Sequence, residues 1–209
     1  MALFERRPQS DSIPLYSVGL SKTILIVGLG NPGRDYDGSR HNIGFTCLDS
    51  FAIKQKFDPW VDKKDMKAQI TSQQLGNSRV ILMKPSTFMN DSGIAVQAVS
   101  HYYKIGLADI AVVYDEYALP FGQIRMRSGG ESAGHNGIKS LIQHLAPDFG
   151  RIRVGIQAES PMAMTDFVLA KFSPDEQAQM EALTREVNSI LSEFAYGAEL
   201  QAETRSFII

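Results

Sequence analysis

Few side chains in this chain titrate near neutral pH: four histidines, His41, His101, His135 and His144, and a single cysteine, Cys47. His101 and His144 fall within helical hydrophobic patterns, where a histidine is ordinarily on the surface or satisfied by its own helix. His41 stands in RDYDGSRHNIG, a polar loop that follows an apolar run and the glycines Gly28, Gly30 and Gly33. A loop backbone beside a strand end can hold an imidazole facing a cleft. Asp115 and Glu116 follow the apolar residues of DIAVVYDEY, and the carboxyl ends of buried strands are where open α/β sheets bind ligands. An imidazole oriented by a carboxylate can take a proton from water, and amide donors can hold an oxyanion. His41 is therefore a candidate for catalysis and Asp115 for an orienting carboxylate, and the asparagines Asn31, Asn90 and Asn136 stand at strand-to-helix corners where an amide can serve a site. A plainer reading stands beside each: a loop histidine held by the fold, and asparagines that cap helices or form turns.

Other motifs fail on context. Gly28, Gly30 and Gly33 match G-x-G-x-x-G, the fingerprint of dinucleotide-binding oxidoreductases. Pro32 biases Asn31 away from helical geometry, and the turn-rich loop that follows opens no helix directly onto the glycines. Asp49, the downstream acid, falls inside a helical pattern instead of at a strand tip. A phosphate-binding loop is excluded because Arg34 and Asp35 stand where Lys and Ser or Thr are required. Without that loop, the Walker B look of Asp115-Glu116 has no phosphate to serve. Residues 130–134, GESAG, match G-x-S-x-G, yet no acid lies between Ser132 and His144 and no histidine follows Asp148, so the α/β-hydrolase order of Ser, acid and His is broken. Small residues shaping a tight loop explain the match. The histidines form no i,i+4 pair around a helical Glu, and one cysteine excludes an internal disulfide or a cysteine-rich zinc site; no metal is expected. Cys47 itself reads as buried filler and suits a reducing cytoplasm.

These residues need a scaffold. At 209 residues with 44% hydrophobic content, the chain can bury one substantial core, and one globular domain over residues 22–209 is expected. Residues 1–21 mix charge, Pro and Ser without the continuous apolar stretch of a secretory signal, and read as a poorly ordered extension. Arg6, Arg7 and the serines hint at an organellar transit peptide, which Glu5 and Asp11 weaken. No stretch reaches the ~18 apolar residues of a membrane span. A net charge of −2 speaks against a diffuse nucleic-acid binder, though not against a local basic patch.

In order, residues 24–27 read as a strand buried on both faces, and residues from 43 to about 56 as a helix. Residues 67–75 and RVILMKP form a hairpin through Gly76-Asn77. A helix of about 91–104 follows, capped by Asn90 or Asp91. Residues 109–120 form a strand, FGQIRMRS another with Arg125 and Arg127 on one face, and IKSLIQHL a helix. RIRVGI is a strand with Arg151 and Arg153 on one face, and DFVLAKF an edge strand. Pro174 opens a long helix to about Tyr196, and the last residues form another helical segment. Strands alternating with helices give an α/β fold with a mixed, mostly parallel twisted sheet flanked by helices.

Taken in register, GLGNPG with RHNIGF, KPSTFMN, DE-x-x-LP, and SAGHNG with R-I-R-V-G-I closely resemble bacterial-type peptidyl-tRNA hydrolase over about residues 23–205. The resemblance implies a monomeric, cytoplasmic enzyme that hydrolyses the ester joining a peptide to the 3′-terminal ribose of tRNA, without metal or cofactor. It implies His41 as the general base, Asp115 as its orienting carboxylate, and Asn31 beside them in catalysis. Tyr36, Met89, Asn90, His135 and Asn136 would hold the substrate, and Arg127 and Arg153 would clamp the tRNA 5′-phosphate. The sequence departs from the family at Ala118, where an acid is usual, and at Gln157, where glycine is usual. A catalytically idle RNA-binding relative of the same fold is the alternative; His41, Asp115 and the asparagines, all retained, lean against it.

Overall fold

The computed structural model describes residues 22–206, so the expected extension at residues 1–21 lies outside the described part. Strands β1 (Lys22–Gly28), β2 (Val61–Lys63), β3 (Ala68–Leu75), β4 (Ser78–Pro85), β5 (Ile110–Pro120), β6 (Gln123–Ser128), β7 (Gly150–Gln157) and β8 (Glu203–Ser206) form one sheet in the order β2-β3-β4-β1-β5-β7-β6-β8. Helices α1 (Ile43–Lys54) and α6 (Met180–Ala195) cover one face; α2 (Ser92–Tyr102) and α3 (Asn136–Leu145) cover the other. Ile24 and Ile26 enter the first layer and Leu25 and Val27 the second, all fully buried, which is why β1 shows no alternation.

The mostly parallel sheet is corrected. Among the described residues β1 pairs with β4 and β5, and β5 with β7, in parallel, while β2–β3, β3–β4, β6–β7 and β6–β8 are antiparallel. The parallel core carries the site, and antiparallel strands flank it on both sides.

Two element assignments also change. The expected edge strand DFVLAKF is a helix, α4 (Met164–Leu169), with only an isolated bridge from Ser39 to Lys171. Its alternation of apolar residues is taken up by Phe167 and Phe172, which sandwich the Arg40 guanidinium at 4.3 and 4.8 Å from their ring centres. The expected C-terminal helical segment is instead β8, an antiparallel addition beside β6. The helix from Pro174 is split at Gln179 into α5 (Pro174–Ala178) and α6, and a capping box between Ser173 and Glu176 starts it. Asp91 occupies the α2 cap position, but its side chain makes no capping bond.

The glycine fingerprint has a packing cause. A Cβ on Gly28 would lie 2.4 Å from Gly44 O, and one on Gly44 would lie 2.4 Å from Val113 O. These two glycines let α1 press directly onto the ends of β1 and β5, which places the loop between them over the sheet edge. Asp49 is bound to Lys84 and accepts from Trp60 Nε1 at 2.8 Å, so its carboxylate serves the fold.

Candidate active site

The loop from Asn31 to Asn42 is shaped by two short 3₁₀ turns, Arg34–Tyr36 and Arg40–Asn42. Asn31 and Asn42 lock its two ends together: Asn31 N–H donates to Asn42 Oδ1 at 2.8 Å, and Asn42 Nδ2 donates to Asn31 O at 3.0 Å. Asn31 Oδ1 accepts from Met89 N–H at 2.8 Å, tying this loop to the one after β4. Because a backbone N–H can only donate, the oxygen of that amide must face Met89, and Asn31 Nδ2 remains as a donor for a ligand.

Arg40 anchors the second turn from below. Its guanidinium makes a paired contact with Glu176, at 2.7 and 2.6 Å, and reaches Ile156 O at 3.3 Å; its backbone N–H donates to Ala170 O at 2.9 Å. Both side chains are buried, 6% and 10% exposed, so only a paired and hydrogen-bonded charge is tolerable there. Neither residue was singled out from the sequence. The adjacency of Arg40 to His41 and the Ser173/Glu176 capping-box spacing were legible, but their pairing was not.

The turn so held delivers His41 to Asp115, with Nδ1 2.8 Å from Oδ1. Asp115 lies in the interior of β5, five residues before its end, instead of at its tip; the pairing with β7 shifts register just beyond it, between Glu116 and Pro120. Burial pushes the Asp115 carboxyl up, but the hydrogen bonds that Oδ1 receives from His135 and His41 oppose it, and the group is held well below the usual carboxylate range. An ionised carboxylate only accepts, so His41 Nδ1 carries the proton and Nε2 is left with its lone pair. His41, Asp115, Tyr117, His135, Met164 and Val168 line a cavity of about 110 Å³. At ~30 Å³ per water in the liquid, that accommodates a few waters, and a larger substrate would extend beyond it.

The remaining candidates divide. Asn136 starts α3 and lines the same cavity; Asn90 is exposed beside the buried Met89. Met89 packs under the site, its Sδ only 2.5 Å from where a Cβ on Gly137 would be. Tyr36 meets the exposed Phe88 edge-on at 6.1 Å, joining the two loops. Ala118 N–H donates to Glu116 Oε1 at 3.2 Å, so where the family has an acid this chain's neighbouring carboxylate is engaged by backbone.

Arg127 and Arg153 lie on the next strands of the sheet, Arg153 opposite Tyr114 of β5. β6 and β7 pair Arg125 with Arg153 and Arg127 with Arg151, placing these four arginines on one face of the sheet. Arg151 is a buried strut: it donates to the carbonyls of Gly130, Glu131 and Pro147 and fastens the loop before α3. Arg127 donates through Nε to Gly129 O at 2.8 Å, and its guanidinium lies where a side chain on Gly130 would be. Among the described residues Arg153 has a single long ion pair, 3.5 Å to Glu116, and its buried Nε has no hydrogen-bond partner.

The donor atoms of His41, Asp115 and His135 all lie within 4.8 Å of one another, close enough to invite a metal. His135 argues against that use. Its Nδ1 accepts from Ile138 N–H at 3.2 Å, so Nε2 holds the proton and presents a donor to Asp115 in place of a lone pair.

His41 held against Asp115 beside a cavity that Asn136 also lines is an arrangement able to support hydrolysis by water. Comparison with known proteins agrees with that class and narrows it. The sequence profile described as peptidyl-tRNA hydrolase matches residues 25–207. The chain belongs to the peptidyl-tRNA hydrolase family. It is 47% identical to the peptidyl-tRNA hydrolase of Gloeobacter violaceus over 161 residues, 76% of this chain and 81% of that one. It is 37% identical over 194 residues to a peptidyl-tRNA hydrolase of Rhodopseudomonas palustris, covering 88% and 95%. The crystal structure of the peptidyl-tRNA hydrolase from Acinetobacter baumannii superimposes with a TM-score of 0.78 at 32% identity, covering 85% of this chain and 91% of that one.

Proposed function

We propose that this chain hydrolyses the ester between a peptide and the 3′-terminal ribose of tRNA, with His41 as the base that activates water. The observation that carries the reading is the 2.8 Å contact between His41 Nδ1 and the ionised Asp115, which leaves Nε2 as an acceptor on a residue that lines the cavity. Membership of the family supplies the substrate class. Water donates a proton to Nε2 as its oxygen attacks the ester carbonyl, and Asp115 stabilises the imidazolium that forms. Asn136, which lines the cavity, and the amides of Asn31 and Asn90 on the neighbouring loops offer donors to the oxyanion and the peptide. Collapse of the tetrahedral intermediate expels the ribose oxygen, which takes the proton back from His41. Tyr36 and Met89 complete the wall on which the peptide lies, and Arg127 and Arg153 hold the tRNA 5′-phosphate.

We also place this activity in the cytoplasm and assign it to a monomer that uses no metal or cofactor. The single buried thiol of Cys47, pushed up to about 12 by burial, suits a reducing compartment, and no helix among the described residues is long and apolar enough to cross a membrane. Release of peptide from purified peptidyl-tRNA tests the activity: the wild-type chain turns over and His41→Ala does not exceed a small residual rate. Binding of tRNA without release would instead establish the idle RNA-binding alternative.

A further inference from the structure

His41 and His135 meet at one atom. Asp115 Oδ1 lies 2.8 Å from His41 Nδ1 and 3.0 Å from His135 Nε2, and the two rings are 5.2 Å apart at their centres. The tautomer of His135 is fixed by the fold. Its side chain caps α3, with Nδ1 accepting the Ile138 N–H, a group that can only donate. Nε2 therefore carries the proton and points it at the carboxylate. The side chain is 10% exposed and is met edge-on by Tyr114 at 4.9 Å, so the ring has no room to turn over without losing both bonds.

We infer that His135 is a positioning residue for the base: a fixed neutral donor on the oxygen that also receives His41, it limits how firmly Asp115 holds the protonated form of His41. This rests on His41 being the general base. A carboxylate oxygen shared between two donors bonds each less strongly than one serving a single donor. A carboxylate beside an imidazole favours imidazolium, and a base that retains its proton is idle. Both nitrogens of His135 are spent inside the protein, so the ring's part in the reaction runs through Asp115, and a peptide would meet only its carbon edge or face.

The other ionisable groups around this turn leave the balance to these three residues. Arg40 is paired with Glu176, and Glu116 with Arg153. Asp166 of α4, Lys171 beyond it, and Arg34, Asp35 and Asp37 of the preceding turn are exposed. Tyr114 is pushed up to about 12 by burial and stays neutral.

Two substitutions and one spectroscopic measurement test the inference. Asparagine at 135 can still cap α3 but is too short to reach Asp115; glutamine presents an acceptor and a donor in the same polarity as the locked imidazole. In His135→Asn the acidic limb of the kcat/KM profile is expected to move up by about one pH unit, so that activity on the acid side falls ~10-fold while the loss shrinks as pH rises. His135→Gln moves the limb back towards the wild-type position. Long-range ¹⁵N–¹H spectra of the wild-type protein at neutral pH should show His135 protonated at Nε2 only, a reading that survives even if the asparagine variant fails to fold. The inference is overturned if His135 is protonated at Nδ1, or if His135→Asn raises KM or lowers kcat equally at every pH. A wild-type chain without peptide-releasing activity would instead defeat the proposed function, and the tautomer measurement keeps the two failures apart.

Discussion

On the proposed reading, the His41–Asp115 contact divides a base's work between two residues, one to take the proton and one to fix which nitrogen takes it. His41→Ala should lower kcat by ~10²- to 10⁴-fold with KM much less affected, the range in which a positioned base contributes. Asp115→Asn should lower kcat as well, and the double variant should cost little beyond His41→Ala, because orienting an absent base has no value. Single-turnover rates for the three variants check this; additive losses would assign the two residues separate tasks. Asp115 is held well below the usual carboxylate range and stays ionised throughout the working pH. The acidic limb therefore reports the base, and in Asp115→Asn it should shift to lower pH, since the imidazolium loses its counter-charge. Turnover should persist after exhaustive chelation, because the proton on His135 Nε2 faces the one cluster with metal-like spacing among the described residues. Activity lost to EDTA and restored by zinc would reverse that assignment.

Among the elements, the 3₁₀ turn carrying His41 is held to α4 and α5 by one buried ion pair. Arg40→Ala strands Glu176 in the interior and should destabilise the fold by ~3–5 kcal/mol, with Glu176→Gln costing less because its amide can still accept. Burial pushes the Glu176 carboxyl up, but the hydrogen bonds from Arg40 and Ser173 and the Arg40 charge bring it below its ordinary value near 4.5. A depressed folded value means the pair's contribution is fully present above 4.5 and is lost as pH falls through the folded value. Denaturation midpoints of wild type and Glu176→Gln should accordingly differ most above that pH and converge in acid. The same contact explains where the sequence misleads. β1 and β4 are legible because the β-branched and apolar residues at 24–27 and 80–83 are buried on both faces whatever lies beside them. DFVLAKF is not, because its helix is selected by Arg40, far away in sequence, whose guanidinium lies between Phe167 and Phe172 and whose N–H takes Ala170 O. The strand β8 has no apolar run at all; its order comes from pairing with β6 and from Arg125 donating to Thr204. His41, Asp115 and Asn31 could be named from residue type and position, whereas Arg40, Glu176 and the locked ring of His135 required the fold.

Across the whole molecule, a chain of net charge −2 must recruit a polyanion by position. On the proposed reading β6 and β7 do so, putting Arg125, Arg127, Arg151 and Arg153 on one face, and β7 is itself the parallel neighbour of β5, which carries Asp115. Arg151 is consumed as a strut, while Arg125 and Arg127 are each engaged through Nε, with Thr204 and Gly129, and the proposed phosphate clamp is Arg127 with Arg153. Among the described residues Arg153 is bound by one ion pair, 3.5 Å to Glu116, and its Nε is buried without a partner, so an incoming anion meets a cation that is incompletely satisfied. Arg127→Ala and Arg153→Ala should each weaken tRNA binding and flatten its salt dependence by roughly one unit of slope. Removing the 5′-phosphate from the substrate should reproduce either loss, and combining it with either variant should cost less than the sum, because both changes delete the same contact. Equal losses on phosphorylated and dephosphorylated substrates would show that these arginines grip another part of the tRNA. Both variants should keep the wild-type acidic limb, since neither arginine touches His41 or Asp115; a clamp on one flank and a base on the core then act as separable parts of one surface.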